Sequence, residues 1–560
     1  MDPSAAAYIT AYSITDLVSR DRINRALGYL RAHGLLPDDA AFLRAGQQPS
    51  ASAPVTLKGL VGSVASGSPF LTSEGMNYES GYSIHSWPLT TPPVSFTFMA
   101  DVRGLIGTAA LPQNSYGCLA QFVNSGASEG WGQSGIAYGY GQITASGGAT
   151  VVNSCVAGTY CVSANSNVSG TPASNLFDGA SAYSAIAGFS WLDQANPQVE
   201  MMTDGVLNTR TTAGNLRQVL PLNKMYMPTM RHSNGNLGLY YAKVTVGSWV
   251  LYRRVITDAE KLIVAQGMRI LDPRKISLCT MGDSLTENET NHPIVRSSWP
   301  INFGGASSWS KYLRVFNYAE SGMASYDAAT QYAKWARARP SAQAFSAGWL
   351  TMQYGTNDLL QGGNSATIFS RLIALAATAK SDGFKVCICT VPMKDSASLT
   401  PLWSASLYPE LANLNVLLKN SLVSNPTVFD ALCDYTLINQ TEEKIPGFFV
   451  DDGVHLLEAA NILLAERMAM TIDFGVGMPR CTSLPSITGT TTRACSTGIW
   501  QNILSGYAYQ WYRDAVAIAG ATASTRVLDG NDTGHRLWCR VVATNAAGSQ
   551  SASSNATATV

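Results

Sequence analysis

Met281-Gly-Asp-Ser-Leu-Thr-Glu287 follows directly on the apolar run Ile276–Met281. A buried strand that ends in Gly-Asp-Ser hands over to a turn where a helix can start. A serine there is exposed at the carboxyl edge of a sheet, with its own N–H pointing at whatever binds. Four common residues recur by chance, so taken alone the motif equally describes an Asp/Ser helix cap. Its surroundings carry more. Strand-like runs at Val315–Ala319, Trp349–Gln353, Phe384–Val391 and Thr427–Leu432 alternate with helical stretches near 326–338, 366–381, 406–423 and 456–473. Alternation of this length implies a parallel sheet with helices on both faces, a three-layer α/β fold.

Three further pieces fall in order after those strands: Asn317-Tyr-Ala-Glu-Ser-Gly322, Tyr354-Gly-Thr-Asn-Asp358 and Asp452-Gly-Val-His455. Each has a plain reading by itself, as a turn glycine, a cap asparagine or a surface Asp-Gly turn. Together with Gly282-Asp-Ser284 they resemble the blocks of the SGNH (GDSL-like) hydrolase family over residues 274–477. The resemblance implies a serine esterase. Ser284 would be the nucleophile, inert unless a base takes its proton. His455 would be that base, with Asp452, three residues earlier, holding the imidazole and stabilising its charged form. The oxyanion donors would be the N–H groups of Ser284 and Gly322 and the side chain of Asn357. Leu456-Leu457-Glu458 after the histidine departs from the proline or polar residue of many relatives, which alters a pocket wall but removes no catalytic group.

The other titratable groups read as structural. His292 lies in a polar loop before Pro293 and is expected at the surface. Asp283 is expected to be a loop carboxylate, Asp451 an exposed neighbour of Asp452, and Asp358 a brace for the third-block loop. Glycoside cleavage would need two acids converging in one cleft, and no such pair is evident in the sequence. There is no metal-ligand spacing, and no cofactor is expected.

The chain has 560 residues, beyond the roughly 250–300 at which single cores stop growing. Several domains are therefore expected. Charged residues make up only 13%, with 37 basic against 37 acidic, and no Lys/Arg run stands out. Nucleic acid and acidic membrane surfaces need clustered positive charge, so neither is expected as a partner. No apolar run of about 18 residues suggests a membrane span. The Met-Asp-Pro-Ser start lacks the basic and apolar regions of a secretory leader.

Residues 1–54 read as a helical segment capped near Ser13-Ile14-Thr15-Asp16, followed by a linker from Gly46 to Pro54. Residues 55–270 hold many short alternating strands, which suggests a β-sandwich. Ser95-Phe-Thr-Phe98, Val199-Glu-Met-Met-Thr-Asp-Gly205 and Leu251-Tyr-Arg-Arg-Val-Ile-Thr-Asp-Ala-Glu260 resemble the concanavalin A/laminin-G-like jelly rolls, which implies either a sugar-facing sandwich or a ligand-free spacer. Residues 482–560, with Trp500, Tyr507-Ala-Tyr-Gln-Trp-Tyr-Arg513 and Asp529–Asn545, resemble bacterial and phage Ig-like domains, as a spacer or adhesive module. That second resemblance implies a Cys495–Cys539 disulfide; Cys155 and Cys161 are a second candidate pair, and spacing settles neither.

The expected reaction is hydrolysis of an ester, with O-acetyl groups on a surface polysaccharide as the first choice of target. The order of modules resembles phage tail or spike proteins. This implies a virion location, other virion proteins as partners, and homo-oligomerisation. Two other readings stand beside it: a virion adhesin with incidental hydrolysis, and a secreted bacterial carbohydrate esterase.

Overall fold

The computed structural model describes residues 1–66, 68–72, 76–78, 84–89, 95–103, 116–123, 135–144, 150–154, 157–158, 184–192, 198–203, 205–212, 224–227, 245–272, 276–287, 299–300, 309, 312–333, 347–392, 394–395, 402–438, 446–502 and 505–560. Cys155, Cys161 and His292 lie outside the described residues. The chain divides into two compact units, one built on Met1–Pro273 and the other on Arg274–Ala342 and Ser346–Val560.

The first unit holds two antiparallel sheets, of eight and seven strands. Aromatic side chains of both sheets pack together: Trp87 meets Trp249 edge-on at 5.4 Å, and Phe122 meets Phe96 at 4.8 Å. The N-terminal residues are part of this unit. Asp16 caps the helix Leu17–Ala32 by accepting from Ser19 N, and Ile23, Ala26, Leu27 and Leu30 are buried. Strand Asp39–Phe42 then pairs antiparallel with Thr245–Tyr252. Residues 46–54, expected as a linker, are tied in as well. Buried Gln48 donates to the carbonyls of Phe42 and Val55 and accepts from Val55 N. A glutamine buried with its amide bonded both ways anchors a segment; it does not let it swing.

The second unit contains the alternating region. Its strands are β1 (Ile276–Gly282), β2 (Leu313–Asn317), β3 (Ala347–Gln353), β4 (Lys385–Cys389) and β5 (Ala431–Cys433). They form one sheet in the order β2-β1-β3-β4-β5, and every pairing is parallel. All seven residues of β1 are buried, as a strand covered on both faces must be. The longer helices are α1 (Ser365–Ser381), α2 (Tyr408–Lys419) and α3 (Glu458–Thr471). Asn364 caps α1 by accepting from Thr367 N, and Ile368, Phe369, Leu372, Leu375, Ala376 and Ala379 form its buried face. Gly383, at φ +94°, follows its end. The expected helix at 326–338 is a short turn, Ala328–Gln331, within the described residues.

Two glycines shape the carboxyl edge of this sheet. A Cβ on Gly282 would sit 2.6 Å from the carbonyl oxygen of Gln353, so only hydrogen lets β1 and β3 end side by side there. Gly355 has φ +129°, and a Cβ on it would lie 2.6 Å from Leu414 and 3.0 Å from Val391.

The C-terminal β module, read as a spacer or adhesive module, is part of this second unit. Its strands include β6 (Gly506–Arg513), β7 (Leu537–Asn545) and β8 (Gly548–Ser553). Glu466 of α3 pairs with Arg540 at 2.8 Å and accepts from Ser551 Oγ at 2.7 Å. Tyr312 donates its hydroxyl to Ala547 O, and Trp538, buried, packs edge-on against Phe448. The Cys495–Cys539 disulfide implied by the Ig-like resemblance is not formed. Both are thiols, buried in one cluster with Trp511 and Val541, and they donate to Ser496 O and Arg540 O respectively.

Candidate active site

Ser284 sits in the turn immediately after β1. Asp283 leads that turn: its carbonyl accepts from the N–H groups of Thr286 and Glu287, and its Oδ1 accepts from Leu285 N at 3.0 Å. Cross-strand bonds brace the turn. Thr286 Oγ1 donates to Gln353 Oε1 at 2.6 Å, and Asn317 donates through Nδ2 to Thr286 O at 3.0 Å. The serine is thereby held between the ends of β2 and β3.

His455 arrives from the loop before α3. Its Nε2 lies 2.8 Å from Ser284 Oγ, and its Nδ1 lies 2.6 Å from Asp452 Oδ2. The other carboxylate oxygen of Asp452 accepts from Val454 N and His455 N at 2.8 and 2.9 Å. Three donors thus converge on one carboxylate. Burial works to raise its pKa, but the bonds from the His455 ring and the two backbone N–H groups outweigh it and hold Asp452 well below the usual carboxylate range. An ionised Asp452 fixes Nδ1 of the imidazole as the protonated nitrogen and leaves Nε2 free to take the serine proton.

The three expected donors lie around the same turn. The N–H groups of Ser284 and Gly322 have no acceptor among the described residues, and Gly322 is exposed at φ +79°. Asn357 lies in the short helix Thr356–Leu360 and donates one of its two amide hydrogens to Met323 O at 2.9 Å. That bond orients the amide and leaves its second hydrogen for a ligand. Asn357→Ala should lower kcat for ester hydrolysis by about 10²–10³-fold with little change in KM. Steady-state kinetics on an aryl acetate checks this, and an unchanged kcat would remove Asn357 from the site.

Asp358 braces a different loop from the one expected. Its carboxylate accepts from Ser325 N at 2.8 Å and Ser325 Oγ at 2.5 Å, with Arg371 at 3.6 Å, so it holds the loop that carries Gly322. Asp451 is exposed. Among the described residues no group of three or more His, Cys, Asp or Glu could hold a metal ion.

One residue under the site was not singled out by sequence. Lys394 lies on the loop after β4 and is buried, and its Nζ has no hydrogen-bond partner among the described residues. The next residue, Asp395, donates its N–H to Gly453 O, which ties this loop to the Asp452 turn. Burial pulls the Lys394 ammonium down to about 8, against the attraction of Asp283 and Asp452. Burial likewise pushes Asp283 up to about 6, against the attraction of Lys394. A lysine in a loop carries no motif, so only the fold reveals it.

Lys394 has a consequence for stability. Its pKa is lower folded than unfolded, so between pH ~8 and ~10.5 the unfolded chain binds more protons and stability rises with pH. Lys394→Met should lack that rise. Between pH 8 and 10 wild type should gain about 2 kcal/mol more than the variant. Denaturant unfolding of both proteins at the two pH values measures it, and equal gains would refute the assignment.

Residues 280–461 match the GDSL-like Lipase/Acylhydrolase family. No curated protein matches the chain. Similar solved structures include a member of the lipolytic G-D-S-L family from Veillonella parvula, at 20% identity, covering 34% of this chain and 95% of that one, with a TM-score of 0.29. An acetyl xylan esterase from Geobacillus stearothermophilus is similar at 15% identity, 34% and 92% coverage and a TM-score of 0.26. A GDSL-like lipase from Bacteroides thetaiotaomicron is similar at 18% identity, 34% and 84% coverage and a TM-score of 0.26. Residues 280–461 of this chain are a GDSL-like lipase/acylhydrolase domain.

Proposed function

We propose that this chain is a serine esterase that removes O-acetyl groups from a surface polysaccharide. The observation that carries the reading is the continuous relay from Ser284 through His455 to Asp452, at 2.8 and 2.6 Å. Ser284 Oγ attacks the ester carbonyl carbon while its proton passes to His455 Nε2. The oxyanion that forms is met by the N–H groups of Ser284 and Gly322 and the Asn357 amide. The carbon–oxygen bond to the sugar then breaks, and His455 returns the proton to the departing alkoxide. Water, deprotonated by the same imidazole, attacks the acyl-serine; the bond from the acyl carbon to Ser284 Oγ breaks, His455 returns the proton to that oxygen, and acetate leaves.

The polysaccharide target is supported by the β modules on either side of the hydrolase domain. In this reading residues 55–270 are a sugar-facing jelly roll and residues 482–560 an Ig-like module. The order of modules supports a place in a phage tail or spike, as a homo-oligomer among other virion proteins. The deciding experiment is acetate release from a panel of O-acetylated polysaccharides by wild type and Ser284→Ala. Release by wild type alone is expected. Release by neither protein, with an aryl acetate still hydrolysed, would refute the glycan target, and equal release by both would refute Ser284 as nucleophile.

A further inference from the structure

We propose that a cleft between α3 and the C-terminal β module is a subsite for a sugar ring of the ester substrate. The inference rests on the carbohydrate-ester reading above. The cleft encloses about 340 Å³ and is lined by Gly447, Leu457, Glu458, Ala459 and Ile462 on one side. Tyr512, Ala515, Trp538 and Arg540 line the other. That volume lies within the range of ligand pockets, roughly 300–1,000 Å³.

Its position follows from the chain. α3 begins three residues after His455, so its first turn sits at the carboxyl edge of the sheet, where Ser284 is. Three residues span at most about 11 Å, so the Glu458 end of the cleft lies within that distance of His455, and a polymer running from Ser284 toward α3 meets it.

The far wall is built before any ligand arrives. Tyr512 stacks on Trp538 with centroids 3.9 Å apart and planes within 7°. The Arg540 guanidinium lies 5.1 Å from the Tyr512 ring centre and donates to its hydroxyl at 2.9 Å. Glu466 holds Arg540 from α3, and Trp538 Nε1 donates to Asp514 O at 2.6 Å. A wall locked by such contacts loses little entropy on binding.

The lining also selects the chemistry. It offers a half-buried aromatic ring, the exposed carboxylate of Glu458 and the guanidinium of Arg540. A neutral polyhydroxylated ring uses all three: its C–H face lies on the aromatic ring, and its hydroxyls donate to the carboxylate and accept from the guanidinium. A polyanion would meet Glu458, and an acyl chain would cover the Glu458 carboxylate without offering it a donor. The C-terminal module is thus part of the substrate site.

The test uses the full chain and the polysaccharide that wild type deacetylates fastest. The readout is the ratio of kcat/KM on that polymer to kcat/KM on an aryl acetate, which is too small to span both sites. Glu458→Ala removes an exposed side chain, and Ala515→Trp fills the cleft. Each should lower the ratio at least tenfold, chiefly through KM on the polymer, while Tyr512→Phe, which keeps the ring, should stay near wild type. If Glu458→Ala and Ala515→Trp, both melting as folded proteins, keep the ratio within twofold of wild type, the cleft is not a subsite. Acetate release by wild type from none of the polysaccharides overturns the carbohydrate reading, and this inference with it.

Discussion

Ser284→Ala should lower kcat/KM for an aryl acetate by roughly 10⁴–10⁶-fold while the protein stays folded. The serine is half-buried in a turn fixed by backbone and neighbouring side chains, and its hydroxyl bonds only His455 among the described residues. Removing one oxygen leaves Thr286–Gln353 and Asn317–Thr286 in place, so stability should change by less than about 1 kcal/mol. The double variant Ser284→Ala/His455→Ala should be no slower than the single one, because a base without a nucleophile contributes nothing. Retention of more than about a tenth of wild-type activity by Ser284→Ala would require another nucleophile.

Asp452→Asn should cost about 10⁴-fold in kcat. The amide can still accept a bond, but its NH₂ turned toward the ring would hold Nδ1 as an acceptor, leaving the proton on Nε2, the wrong nitrogen to receive one from serine. The loss should also depend on pH in a set direction. Asp452 is held below the usual carboxylate range by His455 and two backbone N–H groups, so in wild type it stays ionised through the acid range. Its contribution to stability is present above the unfolded value of 3.8 and is lost only as pH falls below that, toward the folded value. Asp452→Asn should abolish that part of the acid dependence. Kinetics at neutral pH and unfolding midpoints between pH 3 and 7 check both parts. A kcat within tenfold of wild type would mean that Asp452 does not orient the base.

Much of the hydrolase domain was legible because its signals are local. A buried parallel strand must be apolar along its length, so Ile276–Met281 and Trp349–Gln353 stand out against the polar turns that follow. Short motifs at those turns then name Ser284, Asn357 and His455 before any contact is known. Flanking regions were less legible. Residues 46–54 look like a linker because Gly, Pro, Ser and Gln dominate them. Only the burial of Gln48 against Phe42 and Val55 shows the segment to be fixed. Cys495 and Cys539 do share one buried cluster, but as thiols, which their spacing in the sequence could not show.

By itself the sequence determined the alternation that makes a parallel sheet, the order of its motifs, and which side chains offer a nucleophile, a base and a carboxylate. Those follow from hydrophobic period and residue chemistry, which act over a few residues. Tertiary structure alone decided that Ser284 and His455, 171 positions apart, lie 2.8 Å apart. It alone buried Lys394 on a loop tied to the Asp452 turn, turned Asp358 toward Ser325, and set Tyr512 and Arg540 opposite Glu458. Distance in space between such residues is set by how the sheet and helices pack, and no local rule encodes it.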